Sequence, residues 1–477
     1  MKKIYCFLLI CSLLALTLTR QTFGKCYASG ENTGVAADLQ QASITDRYRQ
    51  GLFDRFIRYV GMNSQSAENP TTDFPMTNEQ IETAKALYDE IRQYGFPTIL
   101  SDYYYIYVNI PSNITKKIPV LGFSAHYDTT PEVDGRDIKA QIHREYRGDE
   151  IIIREAQQNA DTPLRPKISI SPETDPYLND CIGETIITSD GNTMLSGDDK
   201  AGVAILVTLI QTLAENPSIE RGPIQIVITP NEEIGLSANK LELSHYHPDI
   251  AYDFDGENCD EVIVENFSAD LYRITVQGVA GHPSHAKENG MLDAYQHGSK
   301  LIASIPDKYW PQESENKEPY FHVYQTEKQG SNLIISARSR YFSQEDGQTI
   351  DRMIRHKADS IRTVINSARN EALKDTIDFI FEVIKQYENV KYGVHPKAAD
   401  IVEAAVNKAG LTPRPIAARS GTTIALIMAR HGFAGYTIFT GQQRPHAYNE
   451  FLCERDMFDA YRVGLNLIKQ TILEFTQ

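Results

Sequence analysis

The sequence is poor in cysteine and in basic residues, and it lacks repeats. Only six cysteines occur in 477 residues, and none shows the close pairing that is typical of a zinc finger. Lys and Arg number 47 against 63 Asp and Glu, which gives a formal net charge of −16. This balance disfavours nucleic acid or an anionic membrane as a partner. The chain has no internal repeat and no long low-complexity stretch, so repeat architectures and extended disorder are excluded.

The composition is otherwise that of an ordered globular protein. Hydrophobic residues make up 41% of the chain, which is enough for a substantial core. A length of 477 residues exceeds what one hydrophobic core usually supports, so we expect two domains.

The N-terminal segment has the form of a secretory signal. An apolar run over residues 4–18 follows Lys2 and Lys3, and residues 22–24 suit a cleavage point. The run is shorter than the roughly 20 apolar residues of a membrane span. We therefore predict a signal peptide over residues 1–24, export to the periplasm or beyond, and no stable membrane span. An uncleaved signal that anchors the protein is the alternative.

Cleavage of that signal would remove two of the six cysteines. The remaining four are Cys26, Cys181, Cys259 and Cys453. In an oxidising compartment they allow three pairings, among which the sequence does not choose. A bridge between Cys259 and Cys453 is one option, and free buried thiols are the simpler interpretation.

Two adjacent carboxylates, Asp198 and Asp199, precede an apolar stretch over residues 203–213 that is typical of a helix. Like charges repel each other, and a helix cap needs only one Asp. The pair therefore indicates a bound cation. Taken alone, it is explained equally well by an ordinary N-terminal cap with a solvated neighbour.

Ligand-type side chains also follow three apolar runs that are typical of buried strands. The runs and their side chains are residues 118–125 with His126 and Asp128, residues 224–229 with Glu232 and Glu233, and residues 436–441 with His446. Asp255 stands before a Gly that permits a sharp turn. In open α/β sheets, ligands collect outside the carboxyl ends of the strands, so we expect these side chains to converge.

Each of these features has an ordinary explanation when it is taken alone. A His-x-Asp sequence is often a hydrogen-bonded pair, Glu-Glu in a loop is usually solvated, His446 could lie at the surface, and Asp255 could form a turn. Their coincidence at several strand ends favours a metal site. Histidine and carboxylates without thiolates suit Zn²⁺ or a similar divalent ion, and bridging carboxylates suit two ions.

Eight short motifs together resemble the dinuclear zinc exopeptidases, the family that includes peptidase T, a tripeptide aminopeptidase. The motifs lie at residues 125–129, 198–202, 229–233, 252–256, 265–267, 282–287, 419–422 and 439–451. The resemblance implies an α/β catalytic domain, with a mixed central sheet flanked by helices. It also implies an inserted, smaller α+β ferredoxin-like lid and dimerisation domain.

The resemblance assigns a set of metal ligands. Two divalent ions, most simply Zn²⁺ with Co²⁺ or Mn²⁺ as alternatives, would be bound there. The ligands would be His126 and Asp255 for the first ion, His446 and Glu233 for the second, and Asp198 for both.

Two further residues would support the chemistry. Glu232 would be the general base for a water activated by the metals. Asp128 would orient His126, because a ligating histidine typically donates its other ring N–H to a carboxylate.

The resemblance also implies substrate contacts. His282 would stabilise the developing oxyanion, with the nearby His285 as an alternative. Arg338 and Arg419 would bind the carboxylate or backbone of the substrate, and Arg340 on the same predicted strand is an alternative to Arg338. An exposed strand charge is the ordinary explanation of either strand arginine.

The pattern of predicted elements divides the chain. Residues 268–388 show the order β-α-β-β-α-β, which is typical of a ferredoxin-like sandwich. Residues 44–267 and 389–477 would form the two parts of the catalytic domain. The inserted domain would act as a lid whose closure brings His282 and Arg338 to the metals, and it could carry a homodimer contact.

The predicted function is hydrolysis of the N-terminal peptide bond of short peptides. The family's Arg-Gly-Gly-Thr-Asp-Gly run appears here with Thr423 in place of the acid and Ile424 in place of the last Gly, which weakens the prediction of a tripeptide aminopeptidase in particular. A carboxypeptidase, an N-acyl-amino-acid amidohydrolase and a non-catalytic exported peptide-binding protein are the alternatives. Peptidase T is a cytosolic family, so the predicted export departs from it.

Overall fold

The computed structural model describes residues 35–67, 74–157, 165–368, 376–389, 395–418, 427, 431 and 435–476. The predicted signal, Cys26, Arg419 and Thr423 lie outside these residues. The helices are α1 (Val35–Val60), α2 (Asn78–Ile91), α3 (Gly197–Glu215), α4 (Ala294–Ala303), α5 (Gln344–Ser367), α6 (Ala398–Lys408) and α7 (Glu454–Thr476). Among the described helices, none is both long and apolar enough to cross a membrane.

The strands are short, as is usual for a globular α/β protein. In chain order they are β1 (Thr98–Leu100), β2 (Ile106–Ile110), β3 (Leu121–His126), β4 (Gln141–His143), β5 (Ile151–Arg154), β6 (Ile168–Ile170), β7 (Ile186–Thr188), β8 (Ile224–Thr229), β9 (Ile250–Gly256), β10 (Glu261–Asn266), β11 (Ser268–Val276), β12 (Tyr320–Gln329), β13 (Asn332–Tyr341), β14 (Phe379–Tyr387), β15 (Arg414–Ala418), β16 (Gly435–Phe439), β17 (Gln442–Gln443) and β18 (Phe451–Cys453).

Eight strands form a mixed central sheet in the order β1-β2-β8-β3-β9-β16-β10-β15. Its middle is parallel, because β3 pairs in parallel with β8 and β9, and β9 pairs in parallel with β16. The carboxyl ends of these four strands therefore meet at one edge of the sheet. Every residue of β3 is buried, as expected for a strand that is covered on both faces.

One face of the sheet is covered by helices. α3 is the central one, and it contacts β3, β9, α1 and α7. From Gly202 to Ile210 each of its residues is buried, which is why its sequence is apolar on all sides rather than on one stripe. The largest core cluster joins this helix to the sheet and to α1, α6 and α7.

The inserted segment forms a separate four-stranded antiparallel sheet in the order β12-β13-β11-β14. Helices α4 and α5 contact this sheet and each other, and a core cluster of its own lies between them. The observed order β-α-β-β-α-β confirms the predicted ferredoxin-like unit. The predicted α/β fold with a mixed central sheet and a smaller α+β unit is likewise confirmed.

A third sheet, in the order β17-β18-β7-β4, brings the segment after the inserted unit against the segment before α3. Cys453 ends β18, and it is a buried free thiol. No disulfide joins Cys181, Cys259 and Cys453 in the described part of the chain, so the Cys259–Cys453 bridge is not formed.

Candidate active site

The predicted ligands meet at the carboxyl edge of the central sheet. His126 is the last residue of β3, Asp255 lies in β9, and Glu233 follows β8. Asp198 lies at the start of α3 with non-helical dihedral angles, and His446 lies in the loop between β17 and β18. The parallel middle of the sheet thus places side chains that are far apart in sequence at one edge.

Asp198 lies between the two histidines. Its Oδ1 is 3.0 Å from His126 Nε2, and its Oδ2 is 3.5 Å from His446 Nε2. The same nitrogens also face other predicted ligands, with Asp255 Oδ1 3.7 Å from His126 Nε2 and Glu233 Oε2 2.8 Å from His446 Nε2. Asp198 therefore lies between His126 with Asp255 and His446 with Glu233. Ligand atoms of His126, Asp198 and Glu233 also lie within 4.8 Å of one another.

These groups perturb one another strongly. Burial opposes ionisation of Asp198, but hydrogen bonds from His126 and His446, together with their charge, outweigh it and lower its pKa. Burial disfavours the charged imidazole of His126, yet the charge of Asp255 and hydrogen bonds to Asp128 and Asp198 raise its pKa well above the usual range. Burial and the negative charge of Asp198 raise the pKa of Asp255. So many buried acids at one point call for positive charge beyond the two histidines.

The donor set fits a divalent cation. It consists of imidazole nitrogens and carboxylate oxygens without a thiolate, which suits Zn²⁺, Co²⁺ or Mn²⁺. In addition, Glu233 Oε1 is buried and has no hydrogen-bond partner among the described residues. A buried carboxylate oxygen without a partner is costly, and a cation between Glu233 and His446 would satisfy it.

Asp128 is more widely connected than predicted. Nδ1 of His126 lies 3.1 Å from the backbone carbonyl oxygen of Asp128 and 3.5 Å from its carboxylate. The carboxylate accepts hydrogen bonds from Ser66 Oγ at 2.6 Å and from the backbone N–H groups of Glu232 and Glu233 at 3.1 and 3.2 Å. Asp128 therefore fixes the backbone of Glu232 and Glu233, here called the Glu-Glu turn, and it also faces His126.

The Glu232 carboxylate reaches the first ligand set. Its Oε2 lies 3.9 Å from His126 Nε2. Burial, followed by the charges of Asp255, Glu233 and Asp198 that oppose the effect of His126, raises its pKa well above the usual range. A carboxyl group with a raised pKa at the edge of a polar site is suited to accept and release a proton.

The substrate contacts predicted on the inserted unit are less close. His282 is exposed, and its Nδ1 contacts Ser284 Oγ at 2.6 Å. His285 pairs with Glu288 at 3.3 Å. Among the described contacts, none joins either histidine to the predicted ligands.

The two strand arginines differ. Arg338 lies 3.7 Å from Glu132, whose other oxygen is 3.5 Å from His446 Nδ1, so Arg338 reaches the rim of the site. Arg340 is buried and packs over the rings of Phe267 and Tyr387. The third predicted arginine, Arg419, lies outside the described residues.

Two residues that contact the site were not assigned a role from the sequence. Asp199 is buried, and its carboxylate accepts hydrogen bonds from the backbone N–H groups of His126 and Gly202 at 3.0 Å each. Glu132 faces the outer nitrogen of His446. The sequence pointed to Asp199 only as the partner of Asp198 in an acidic pair, whereas Glu132 stands in a polar loop without any pattern.

Residues 196–470 match Peptidase family M20/M25/M40. The chain belongs to this peptidase family. The matched range contains Asp198, Glu232, Glu233, Asp255 and His446. The predicted class of enzyme, a hydrolase of the metallo-aminopeptidase type, agrees with this membership.

Relatives within the M20 peptidases support the resemblance to peptidase T. Peptidase T of Halothermothrix orenii is 32% identical over 422 residues, which are 88% of this chain and 98% of the relative. Peptidase T of Vibrio cholerae is 30% identical over 434 residues, which are 90% of this chain and all of the relative. The predicted resemblance is confirmed.

Solved structures of M20 peptidases share the fold. Aminopeptidase PepT of Bacillus cereus has a TM-score of 0.63 at 19% identity, over 89% of this chain and 98% of that one. A Bacillus subtilis protein described as a dinuclear metal binding peptidase of the M20 family has a TM-score of 0.57 at 12% identity, over 91% of this chain and all of that one.

The predicted export is wrong. Relatives that align with 88–90% of this chain are named peptidase T, and peptidase T is the cytosolic family from which the predicted export departed. The signal on which the prediction depended, residues 1–24, lies outside the described residues.

Proposed function

We propose that this M20 peptidase is a dinuclear-metal exopeptidase that removes the N-terminal residue from short peptides, in the manner of a tripeptide aminopeptidase. The observation that carries the proposal is the position of Asp198, whose two carboxylate oxygens face His126 and His446 separately. A carboxylate that faces two ligand sets suits two ions rather than one. The name of one solved relative supplies the aminopeptidase activity, and the preference for tripeptides follows from the resemblance to peptidase T.

Two divalent ions, most simply Zn²⁺, are proposed for the two sets. His126 and Asp255 would hold one ion, His446 and Glu233 the other, and Asp198 both. Ions bound in this way lower the pKa of water and polarise a carbonyl oxygen. This chemistry matches the carboxylate-rich, thiolate-free character of the site.

Glu232 would move the proton. It would accept a proton from the attacking water and pass it to the leaving amine, so that the peptide bond is replaced by a free acid and a free amine. Its place 3.9 Å from His126 and its raised pKa support this role. Asp128 would keep Glu232 in place, because it binds the backbone N–H group of that residue.

The substrate would lie between the central sheet and the inserted unit. We propose that residues 44–267 and 389–477 form the catalytic domain and that residues 268–388 form the lid. Arg338 would bind a carboxylate or the backbone of the peptide, because its contact with Glu132 places it at the rim of the site. Arg419 would assist in this binding, and His282 would contact the oxyanion after lid closure. A homodimer through the lid is part of the same proposal.

Metal analysis and a peptide panel test this function. Purified protein should contain about two equivalents of divalent metal and should cleave tripeptides with a free amino terminus faster than longer peptides. N-acetylated tripeptides are the matched control. Cleavage of only the blocked set would favour an N-acyl amidohydrolase, release of the C-terminal residue would favour a carboxypeptidase, and metal binding without hydrolysis would favour a binding protein.

A further inference from the structure

The loop that carries Asp198 is held by one carboxylate from a distant part of the chain. Glu450 Oε2 accepts hydrogen bonds from the backbone N–H groups of Leu195 and Ser196, both at 2.8 Å. Its Oε1 accepts from Gly197 at 2.6 Å and from Asp198 at 3.3 Å. Four consecutive N–H groups thus point at a single side chain.

The Glu450 side chain and the loop of residues 195–198 are packed closely against each other. The Glu450 side chain is fully buried, so its hydrogen bonds are shielded from water. A Cβ atom at Gly197 would lie 3.0 Å from Glu450 Oε1 and 3.2 Å from Gln442 Cβ, so a larger residue would require these neighbours to shift. Ser196 adopts a left-handed conformation with φ of 70°, which is rare for a residue other than Gly. The loop is therefore shaped around the carboxylate.

The loop needs this acceptor for its shape. Asp198 and Asp199 depart from helical dihedral angles, so the N–H groups of residues 195–198 lie before the regular part of α3. Buried N–H groups without an acceptor are costly. Without Glu450 the loop would have to turn toward other acceptors, and the carboxylate of Asp198 would turn with it.

We propose that Glu450 is a positioning residue for the proposed metal site. It fixes the backbone of residues 195–198 so that the Asp198 carboxylate stays between His126 and His446. Glu450 also lies four residues after His446 in the loop between β17 and β18. The short segment between β17 and β18 therefore supplies the proposed ligand His446, and through Glu450 it also fixes the position of Asp198. This inference rests on the proposed function, because it takes Asp198 to be a metal ligand.

The test compares Glu450→Ala and Glu450→Gln with the wild-type protein in Zn²⁺ titrations against a chromophoric chelator. Removing a group that orients a metal ligand typically lowers affinity by about 10–100-fold, and we expect a loss in this range for Glu450→Ala. Glu450→Gln should lose less, since its amide oxygen can still accept from one pair of N–H groups. This order of effects is expected because each of the two Glu450 carboxylate oxygens accepts from two backbone N–H groups.

Glu90→Gln is the matched control. Glu90 also accepts several hydrogen bonds, from Arg55 Nε at 3.0 Å, Arg58 Nη2 at 2.5 Å and Tyr59 Oη at 2.9 Å. None of these partners belongs to the site. We expect Glu90→Gln to lower the melting temperature while leaving Zn²⁺ affinity unchanged. An equal loss of affinity in Glu90→Gln and Glu450→Gln, or wild-type affinity in both Glu450 variants, would overturn the proposal.

Amide hydrogen exchange of the metal-free proteins separates this inference from the proposed function. Exchange at residues 195–198 should accelerate in Glu450→Ala and Glu450→Gln but not in Glu90→Gln. Unchanged exchange at these amides overturns the inference even if the wild-type protein binds two ions. A wild-type protein that binds no divalent ion overturns the proposed function, and accelerated exchange would still support the hold of Glu450 on the loop.

Discussion

The two histidines of the site are held in different ways. His126 ends a strand that is paired on both sides, its side chain is 1% exposed, and its backbone N–H donates to buried Asp199. His446 lies in a loop with a positive φ of 60°, and its side chain is 34% exposed. The central sheet fixes the first histidine, whereas neighbouring loops fix the second.

The carboxylates that face the Nδ1 atoms of the two histidines, Asp128 and Glu132, show the same contrast. Asp128, on the His126 side, is fully buried and accepts three hydrogen bonds besides facing the ring. Glu132, on the His446 side, is 57% exposed and lies 3.5 Å from the ring nitrogen. Buried, multiply bonded groups contribute more to geometry than exposed ion pairs. We therefore expect the His126 side to be rigid and the His446 side to adjust when substrate binds.

Removing the carboxylate shared by both sides should have the largest effect. Asp198→Asn should release both ions and abolish hydrolysis, because each ligand set loses an anionic oxygen. The loss of metal affinity should exceed the roughly 100-fold cost of changing a group that only orients a ligand. Metal content after dialysis measures it, with Asp190→Asn in the preceding loop as a control that keeps both ions. Two retained ions in Asp198→Asn would contradict the two-set arrangement.

The adjacent glutamates should separate metal binding from proton transfer. Glu232→Gln should retain both ions and lose about 10²–10⁴-fold in kcat, which is the usual contribution of general acid–base catalysis. Glu233→Gln should instead lose the ion on the His446 side, because Glu233 is 2.8 Å from that histidine. Steady-state kinetics and metal analysis on both variants check this expectation. Equal loss of metal in Glu232→Gln and Glu233→Gln would contradict the assignment of Glu232 to proton transfer and Glu233 to metal binding.

Substitution of Asp128 and of Glu132 tests directly whether the His126 side is more rigid than the His446 side. Asp128→Asn should lower metal affinity by about 10–100-fold, since it disturbs both His126 and the Glu-Glu turn. Glu132→Gln should lower it by less than about fivefold, as expected for an exposed ion pair. Parallel Zn²⁺ titrations compare the two. A larger loss for Glu132→Gln would reverse the assignment of the rigid side.

The smallest expected effects concern the two strand arginines. Arg338→Ala should raise the KM for tripeptides about tenfold, which corresponds to one charge-assisted contact of roughly 1.4 kcal/mol. Its loss of stability should be the smaller of the two, because the Tyr324 ring over which Arg338 packs is exposed. Arg340→Ala should lower stability by about 0.5–2 kcal/mol through its lost cation–π contacts and leave KM unchanged. Kinetics and thermal unfolding on the pair distinguish them, and an unchanged KM in Arg338→Ala would favour the plain strand-charge explanation.

The sequence was informative where strand ends determine position. His126, Asp255 and the Glu232-Glu233 pair follow or end buried strands, and the parallel pairing of β3, β8 and β9 brings them together as expected. The alternating pattern over residues 268–388 likewise anticipated the ferredoxin-like unit, because each of its elements has a clear period.

The sequence was uninformative where contacts depend on loops. The hold of Glu450 on residues 195–198 spans about 250 positions and has no periodic signal, because a carboxylate that accepts backbone N–H groups needs no particular residue opposite it. Glu132 and the contacts of Arg338 depend on how the inserted unit sits over the sheet, which short motifs do not encode. The export prediction failed for a different reason: it depended on a local N-terminal pattern and not on the folded chain.

The spacing of the ligands along the chain has a consequence for biosynthesis. The first lies at residue 126, whereas His446 and Glu450 come from the stretch just before the last helix. During translation, a ribosome-bound chain has already exposed β3 and α3 while the second histidine is still inside the exit tunnel. On the proposed assignment, peptide hydrolysis is withheld from the nascent protein, and a product that stops short of residue 446 remains inert.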